Sequence, residues 1–161
     1  MQIARAREDE APLAAAILRE VSEWLVSRGA KLWDVNEIDD ADVARHARAC
    51  ELVIGREAGQ AIASMYLQRS DPLFWPEAKP NEAFYVHRLA VGRAFAGQGR
   101  SQEMLDWATS EGRRAGRPFV RLDTELRPSL IRLYESTGFV RVDQTSVITG
   151  THEVVRFERR V

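Results

Sequence analysis

At 161 residues, 45% of them hydrophobic, the chain fits a single domain over 1–161 that buries about 70% of its unfolded surface and needs no second core. A formal net charge of −1 gives nucleic acid no general electrostatic foothold, no apolar run approaches the ~20 residues of a membrane span, and Met1-Gln2-Ile3-Ala4-Arg5 has no signal-peptide core, so a cytoplasmic protein without nucleic-acid or membrane partners is expected. One cysteine, Cys50, excludes an internal disulfide, and no metal is expected, since His46 and Cys50, four apart on a predicted helix, are two ligands without a third.

Gln2 to Arg7 alternates weakly and reads as a first strand. Leu13, Ile17, Val21, Trp24 and Leu25 recur at helical steps, which predicts an amphipathic helix over 10–28, capped by Asp9 and closed by Gly29. A loop carrying Trp33 follows, then a second helix capped by Asn36 or Asp39. Runs 51–56 and 61–69 are strand-like around the connection Glu57-Ala58-Gly59-Gln60. The stretch 70–81 holds three prolines together with Phe74 and Trp75, so it is a surface loop, and loops with large aromatic residues often serve binding.

Ala83 to Val91 reads as a strand, and what comes next is the most informative part of the chain. Gly97-Gln98-Gly99 breaks the strand and a helix restarts with Met104, Leu105 and Ala108 on its apolar face. Strand, glycine turn and helix N-terminus together make an anion site, because the first helical N–H groups lack intrahelical partners and the dipole end is positive. A phosphate-binding P-loop is excluded, since neither of the two lysines, Lys31 and Lys79, follows a glycine loop, and the third glycine of a dinucleotide fingerprint is missing. Six arginines between Arg88 and Arg117 outnumber Glu103, Asp106 and Glu111, which makes the neighbourhood locally positive.

Phe119 to Thr124 is a short strand, Pro128 opens a fourth helix to about residue 136, Leu130 and Tyr134 share one of its faces, and Gly138 ends it. Two strands, Phe139–Asp143 and Val154–Val161, complete a mixed α/β fold with a largely antiparallel sheet flanked by about four helices.

The segments Leu89-Ala90-Val91, Ala96-Gly97-Gln98-Gly99-Arg100-Ser101 and Leu133-Tyr134-Glu135-Ser136-Thr137-Gly138-Phe139 resemble the GNAT superfamily of acyl-CoA-dependent N-acyltransferases, whose loop pattern is Arg/Gln-x-x-Gly-x-Gly/Ala. The central Gly99 is kept, while Ala96 and Ser101 replace the outer motif residues and Arg127 stands where many relatives have asparagine. The resemblance implies acetyl-CoA as cosubstrate. It also implies that the backbone of Leu89, Ala90 and Val91 pairs with the pantetheine arm, and that the amides of Gly97, Gln98, Gly99, Arg100, Ser101 and Gln102 hold the diphosphate. Tyr134 takes the place of the general acid that protonates the leaving thiolate.

Transfer to an amine needs a neutral nucleophile. An amine with pKa about 10.4 lies ~3.4 units above pH 7, a cost of roughly 4.6 kcal/mol that a base must help to cover. His87, on the same strand and expected on the face of Leu89 and Val91, is the nearest group with a suitable pKa, the family's early glutamate position being Ala83. Trp33 and Trp75 are the expected acceptor-binding aromatics, pointing to a small-molecule amine. Nothing in the sequence opposes a homodimer. The alternatives are a non-catalytic acyl-CoA sensor, which would tolerate a missing base, and a nucleotide-binding interaction module.

Overall fold

The protein is described as a computed structural model covering residues 1–30, 32, 33, 35–143, 147–149 and 152–161; for residues 37, 147–149 and 152 it describes the backbone. Among them run β1 (Gln2–Arg5), α1 (Ala11–Ser27), α2 (Asp40–Arg48), β2 (Leu52–Glu57), β3 (Gln60–Gln68), β4 (Ala83–Val91), α3 (Arg100–Arg114), β5 (Phe119–Glu125), α4 (Pro128–Ser136), β6 (Val140–Arg141), β7 (Val147–Thr149) and β8 (His152–Arg160). This is the expected mixed α/β succession with one further short strand, β7. Pairing is antiparallel for β1–β2, β2–β3, β5–β8, β6–β8 and β7–β8, and parallel for β4–β5. No described helix is long and apolar enough to cross a membrane.

The chain forms two compact units, each built from two segments: Met1–Leu67 with Arg88–Met104, and Gln68–His87 with Leu105–Val161. In the first, β1, β2 and β3 form a meander. Its hairpin turn is the two residues Ala58 and Gly59, both left-handed at φ +47° and +83°, a tighter connection than the four residues expected and one whose twist suits antiparallel strands. Ala14, Ala15, Ile17, Leu18 and Val21 of α1 recur at three- and four-residue steps and bury against Val43 and Ala47 of α2 and Leu52, Ile54 and Tyr66 of the strands. One expectation needs correcting here. Asp9 does not cap α1 but pairs with Arg7 at 3.0 Å, and Pro12 occupies the first turn instead, where its missing N–H costs nothing. His46 is a buried core residue, stacked on Tyr66 with ring centroids 3.9 Å apart and bonded through Nδ1 to Glu51 at 2.8 Å, while Cys50 is exposed.

In the second unit, β4 pairs β5 from Ala83↔Phe119 to Val86↔Leu122, and β5 pairs β8 over its whole length. Rings from α4, the following turn and β8 pack together, Tyr134 lying 6.2 Å from Phe139 and 5.7 Å from Phe157 between centroids. Strand β4 is shared: Ala83–His87 belongs to the second unit and Arg88–Val91 to the first. At the join Arg88 adopts φ +49°, a left-handed conformation that a non-glycine residue in a strand seldom takes. It interrupts the two-residue repeat of the strand, so the expectation that His87 shares a face with Leu89 and Val91 no longer follows.

Candidate active site

In the first unit the glycine turn has the geometry that an anion site requires. Gly97 and Gly99 take φ +75° and +76°, which L side chains rarely adopt, and a Cβ built on either would meet nothing within 4 Å. The glycines are there for backbone conformation and open approach, since no packing contact demands them. Residues 97–99 are exposed, and the Gly99 carbonyl accepts the first helical bond from Glu103 N–H at 3.1 Å. Gly99 is therefore the residue before the first helical turn, and the N–H groups of Arg100, Ser101 and Gln102 are the orphan donors of α3. Gln98 braces the turn through Nε2, which donates to the Ala94 carbonyl at 3.1 Å.

The side chain of Arg100 is committed to two carboxylates. Nη2 donates to both carboxylate oxygens of Glu57 at 2.7 Å, and Nη1 to Glu103 at 2.6 Å. The Glu103 carboxyl, held by Arg100 and by the chain's N-terminal ammonium at 3.0 Å, sits below the usual carboxylate range. Arg100 thus ties the start of α3 to the β2–β3 turn, and what it offers an anion is its backbone amide.

The second unit gathers the titratable groups. His87 on β4 lies between two carboxylates: Asp71 Oδ2 is 3.3 Å from Nε2, and Asp123 Oδ1 is 3.8 Å from Nδ1. Asp71 is buried at 7% exposure in the loop before β4, where its Oδ1 accepts the Phe74 N–H at 3.2 Å and its carbonyl accepts the Trp75 N–H at 2.9 Å. Asp123 projects from β5. Tyr134 on α4 is buried, and burial first, then the Asp123 charge, push its phenol well above the ordinary range. It stays protonated at any physiological pH.

Trp75 was expected on the acceptor side of an exposed loop and lies in the core instead. It is 2% exposed, packs with Ala83 and Tyr85, and has the guanidinium carbons of Arg121 and Arg156 at 4.6 and 4.7 Å from its ring centroid. Those arginines are themselves fixed, Arg121 by Glu82 and Glu158, Arg156 by Asp143, Glu77 and the Phe74 carbonyl. A proline-rich stretch reads as surface, but an indole flanked by two paired arginines is buried and carries Asp71 to its place. Trp33, in the first unit, is half-buried against the α1 core with Arg88 at 5.9 Å from its ring centroid. His87 and Tyr134 were named from the sequence; Asp71 and Asp123, which the fold brings beside His87, were not, since they stand 16 and 36 positions from it and share no local spacing with it.

A family profile, the acetyltransferase (GNAT) family, matches residues 18–139. The chain belongs to that family. It is an acetyl-CoA-dependent acetyltransferase. Among curated proteins, the uncharacterised N-acetyltransferase YesJ of Bacillus subtilis is 29% identical over 71% of this chain and 67% of its own length. The fold is that of a GNAT acetyltransferase from Listeria monocytogenes, with a TM-score of 0.80 at 20% identity, covering 99% of this chain and 94% of that one. Two further structures share it. YncA of Salmonella typhimurium, solved with its cofactor acetyl-CoA, gives a TM-score of 0.74 at 16% identity, covering 99% and 93%. The PaiA N-acetyltransferase of Thermoplasma acidophilum, in complex with coenzyme A, gives 0.76 at 12% identity, covering 99% and 98%.

Proposed function

We propose that the protein transfers an acetyl group directly from acetyl-CoA to the primary amine of a small molecule. The observation that carries the donor half is the succession of β4, two glycines at positive φ, and the orphan amides that open α3. Acetyl-CoA and coenzyme A in the YncA and PaiA complexes support the same donor here. The diphosphate accepts from the amides of Gly97 to Gln102, and the pantetheine arm runs along the backbone of Leu89, Ala90 and Val91. The substitutions Ala96 and Ser101 leave every one of those donors in place.

In the acyl step, His87 takes a proton from the acceptor's ammonium, directly or through one water, and the freed amine attacks the thioester carbonyl carbon. The C–N bond forms, the C–S bond breaks, Tyr134 gives its proton to the leaving thiolate, and the proton that the new amide nitrogen sheds passes through water to restore the phenol. The raised pKa of Tyr134 bears on this assignment in two ways. It guarantees that the phenol holds its proton before the reaction, and it makes transfer to a thiolate of reference pKa about 8.5 uphill. The transfer becomes favourable as the thiolate forms out of water, where its own basicity rises by the same desolvation that raises the phenol. Trp33, half-buried with an arginine near its face, supplies apolar contact to the body of the amine.

Gly99→Val tests the donor half. A branched residue at φ +76° strains the turn and crowds the approach to the amides. Calorimetry should show acetyl-CoA affinity lost by at least a hundredfold in a variant whose circular dichroism is unchanged. Unaltered affinity would remove the turn from the site. A protein that binds acetyl-CoA and acetylates no amine across a broad panel would be an acyl-CoA sensor.

A further inference from the structure

The cluster around His87 has a property that amine acetylation does not require. Asp71, His87 and Asp123 each present one ligand atom, and these atoms lie within 4.8 Å of one another. Their donors are one imidazole nitrogen and two carboxylate oxygens, brought together from the loop before β4, from β4 and from β5 of the second unit. One separation, Asp71 Oδ2 to His87 Nε2, is already 3.3 Å. Ligand atoms about a tetrahedral ion at 2.0–2.2 Å sit about 3.4 Å apart, so the widest separation here needs to close by at most about 1.4 Å.

A second observation comes from Asp71 alone. Its side chain is 6% exposed, and among the described residues Oδ2 has no hydrogen-bond partner, its contact with His87 Nε2 being at 3.3 Å. A buried carboxylate oxygen in that position calls for a positive charge. The unit's neighbouring arginines are engaged with other carboxylates, Arg121 with Glu82 and Glu158 and Arg156 with Asp143 and Glu77. With a neutral imidazole, two carboxylates carry a charge of −2, which a divalent ion cancels.

We propose that Asp71, His87 and Asp123 form a binding site for a divalent first-row transition metal ion, and that the ion inhibits the enzyme by occupying the histidine that deprotonates the acceptor. The imidazole among the donors selects zinc-like ions over magnesium and calcium, which prefer all-oxygen sites. Three protein ligands leave a position for water, as in open zinc sites. The binding claim stands on geometry alone. The inhibition claim rests on the role of His87 given above.

The test measures the two claims separately. Zinc titrated by calorimetry into the apo 161-residue chain should bind at one equivalent, and cobalt in its place should give a visible absorption band from nitrogen and oxygen donors. Asp71→Asn and Asp123→Asn should each weaken zinc at least tenfold. Cys50→Ser should leave it unchanged, because that exposed thiol lies outside the cluster. Where Asp123→Asn fails to fold, Asp71→Asn decides, since its residue sits in a loop. Absence of zinc binding, or affinity unmoved by both asparagine variants, overturns the site. In steady-state assays zinc should lower turnover with the half-effect at its calorimetric Kd. Binding without inhibition upholds the site and counts instead against His87 as the base.

Discussion

The glycine turn at 97–99 and the proline-rich loop at 70–81 were both legible as loops, yet they differ in what fills them. The first is exposed, a Cβ added at Gly97 or Gly99 would meet nothing within 4 Å among the described residues, and the chemistry proposed for it belongs to backbone amides. The second is filled by Trp75, locked by the paired Arg121 and Arg156, and its contribution is one buried carboxylate, Asp71. A site made of backbone announces itself in sequence, because glycines at fixed offsets are what it needs. A site made of side chains from three distant segments has no such signature.

The largest effect that would sharpen this contrast comes from the side-chain half. Tyr134→Phe should lower kcat by about 10²- to 10⁴-fold, the range of a positioned acid, while acetyl-CoA affinity measured by calorimetry barely moves. Removing one hydroxyl leaves the ring contacts with Phe139 and Phe157 intact, so the variant should fold. Full turnover in that variant would make the tyrosine a packing residue and leave the protein's chemistry entirely on its backbone half.

What the sequence could and could not disclose follows the same division. Strand β4 was placed at its observed bounds and α4 likewise, because apolar runs, Pro128 and Gly138 are local signals. The family resemblance came from three local segments. Against that, Arg100 carries the charge of a phosphate ligand, and only the folded chain shows its guanidinium taken by Glu57 and Glu103, 43 and 3 positions away. Trp75 was misplaced for a related reason: prolines around an aromatic predict exposure, and the two arginines that bury it come from β5 and β8. The kink at Arg88 is likewise invisible in residue types, as nothing in an arginine signals a positive φ.

The two tryptophans offer the next test, of moderate size. Trp75→Ala removes a buried indole and should cost about 3–5 kcal/mol of stability by chemical denaturation, with the acceptor KM of the folded fraction unchanged. Trp33→Ala should do the reverse, raising the acceptor KM several-fold while the acetyl-CoA KM stays within about threefold and stability changes little. Equal loss on both substrates for Trp33, or an acceptor effect for Trp75, would mean that the pinned loop and the loop after α1 have exchanged the roles assigned to them.

The smallest effect concerns what pins the proline-rich loop. Asp143 accepts two hydrogen bonds from Arg156, at 2.7 and 2.8 Å, and these hold its carboxyl below the usual aspartate range despite partial burial. A depressed folded pKa means that the unfolded chain takes up the proton first. The stabilisation is therefore complete above the unfolded value of about 3.9 and is lost as pH falls through the lower folded value. Asp143 and Arg156 expose 22% and 11% of their side chains, so the pair is partly desolvated and contributes about 1–2 kcal/mol, a few degrees in Tm for a chain of this size. Melting curves from pH 7 to pH 3 should show Asp143→Asn below the parent at neutral pH, with the gap closing below pH 4. A gap of unchanged size from pH 7 to pH 3 would mean that Asp143 acts by packing alone. The loop would then be held by the Trp75 indole, which lies against the Arg156 guanidinium whatever the charge of the aspartate.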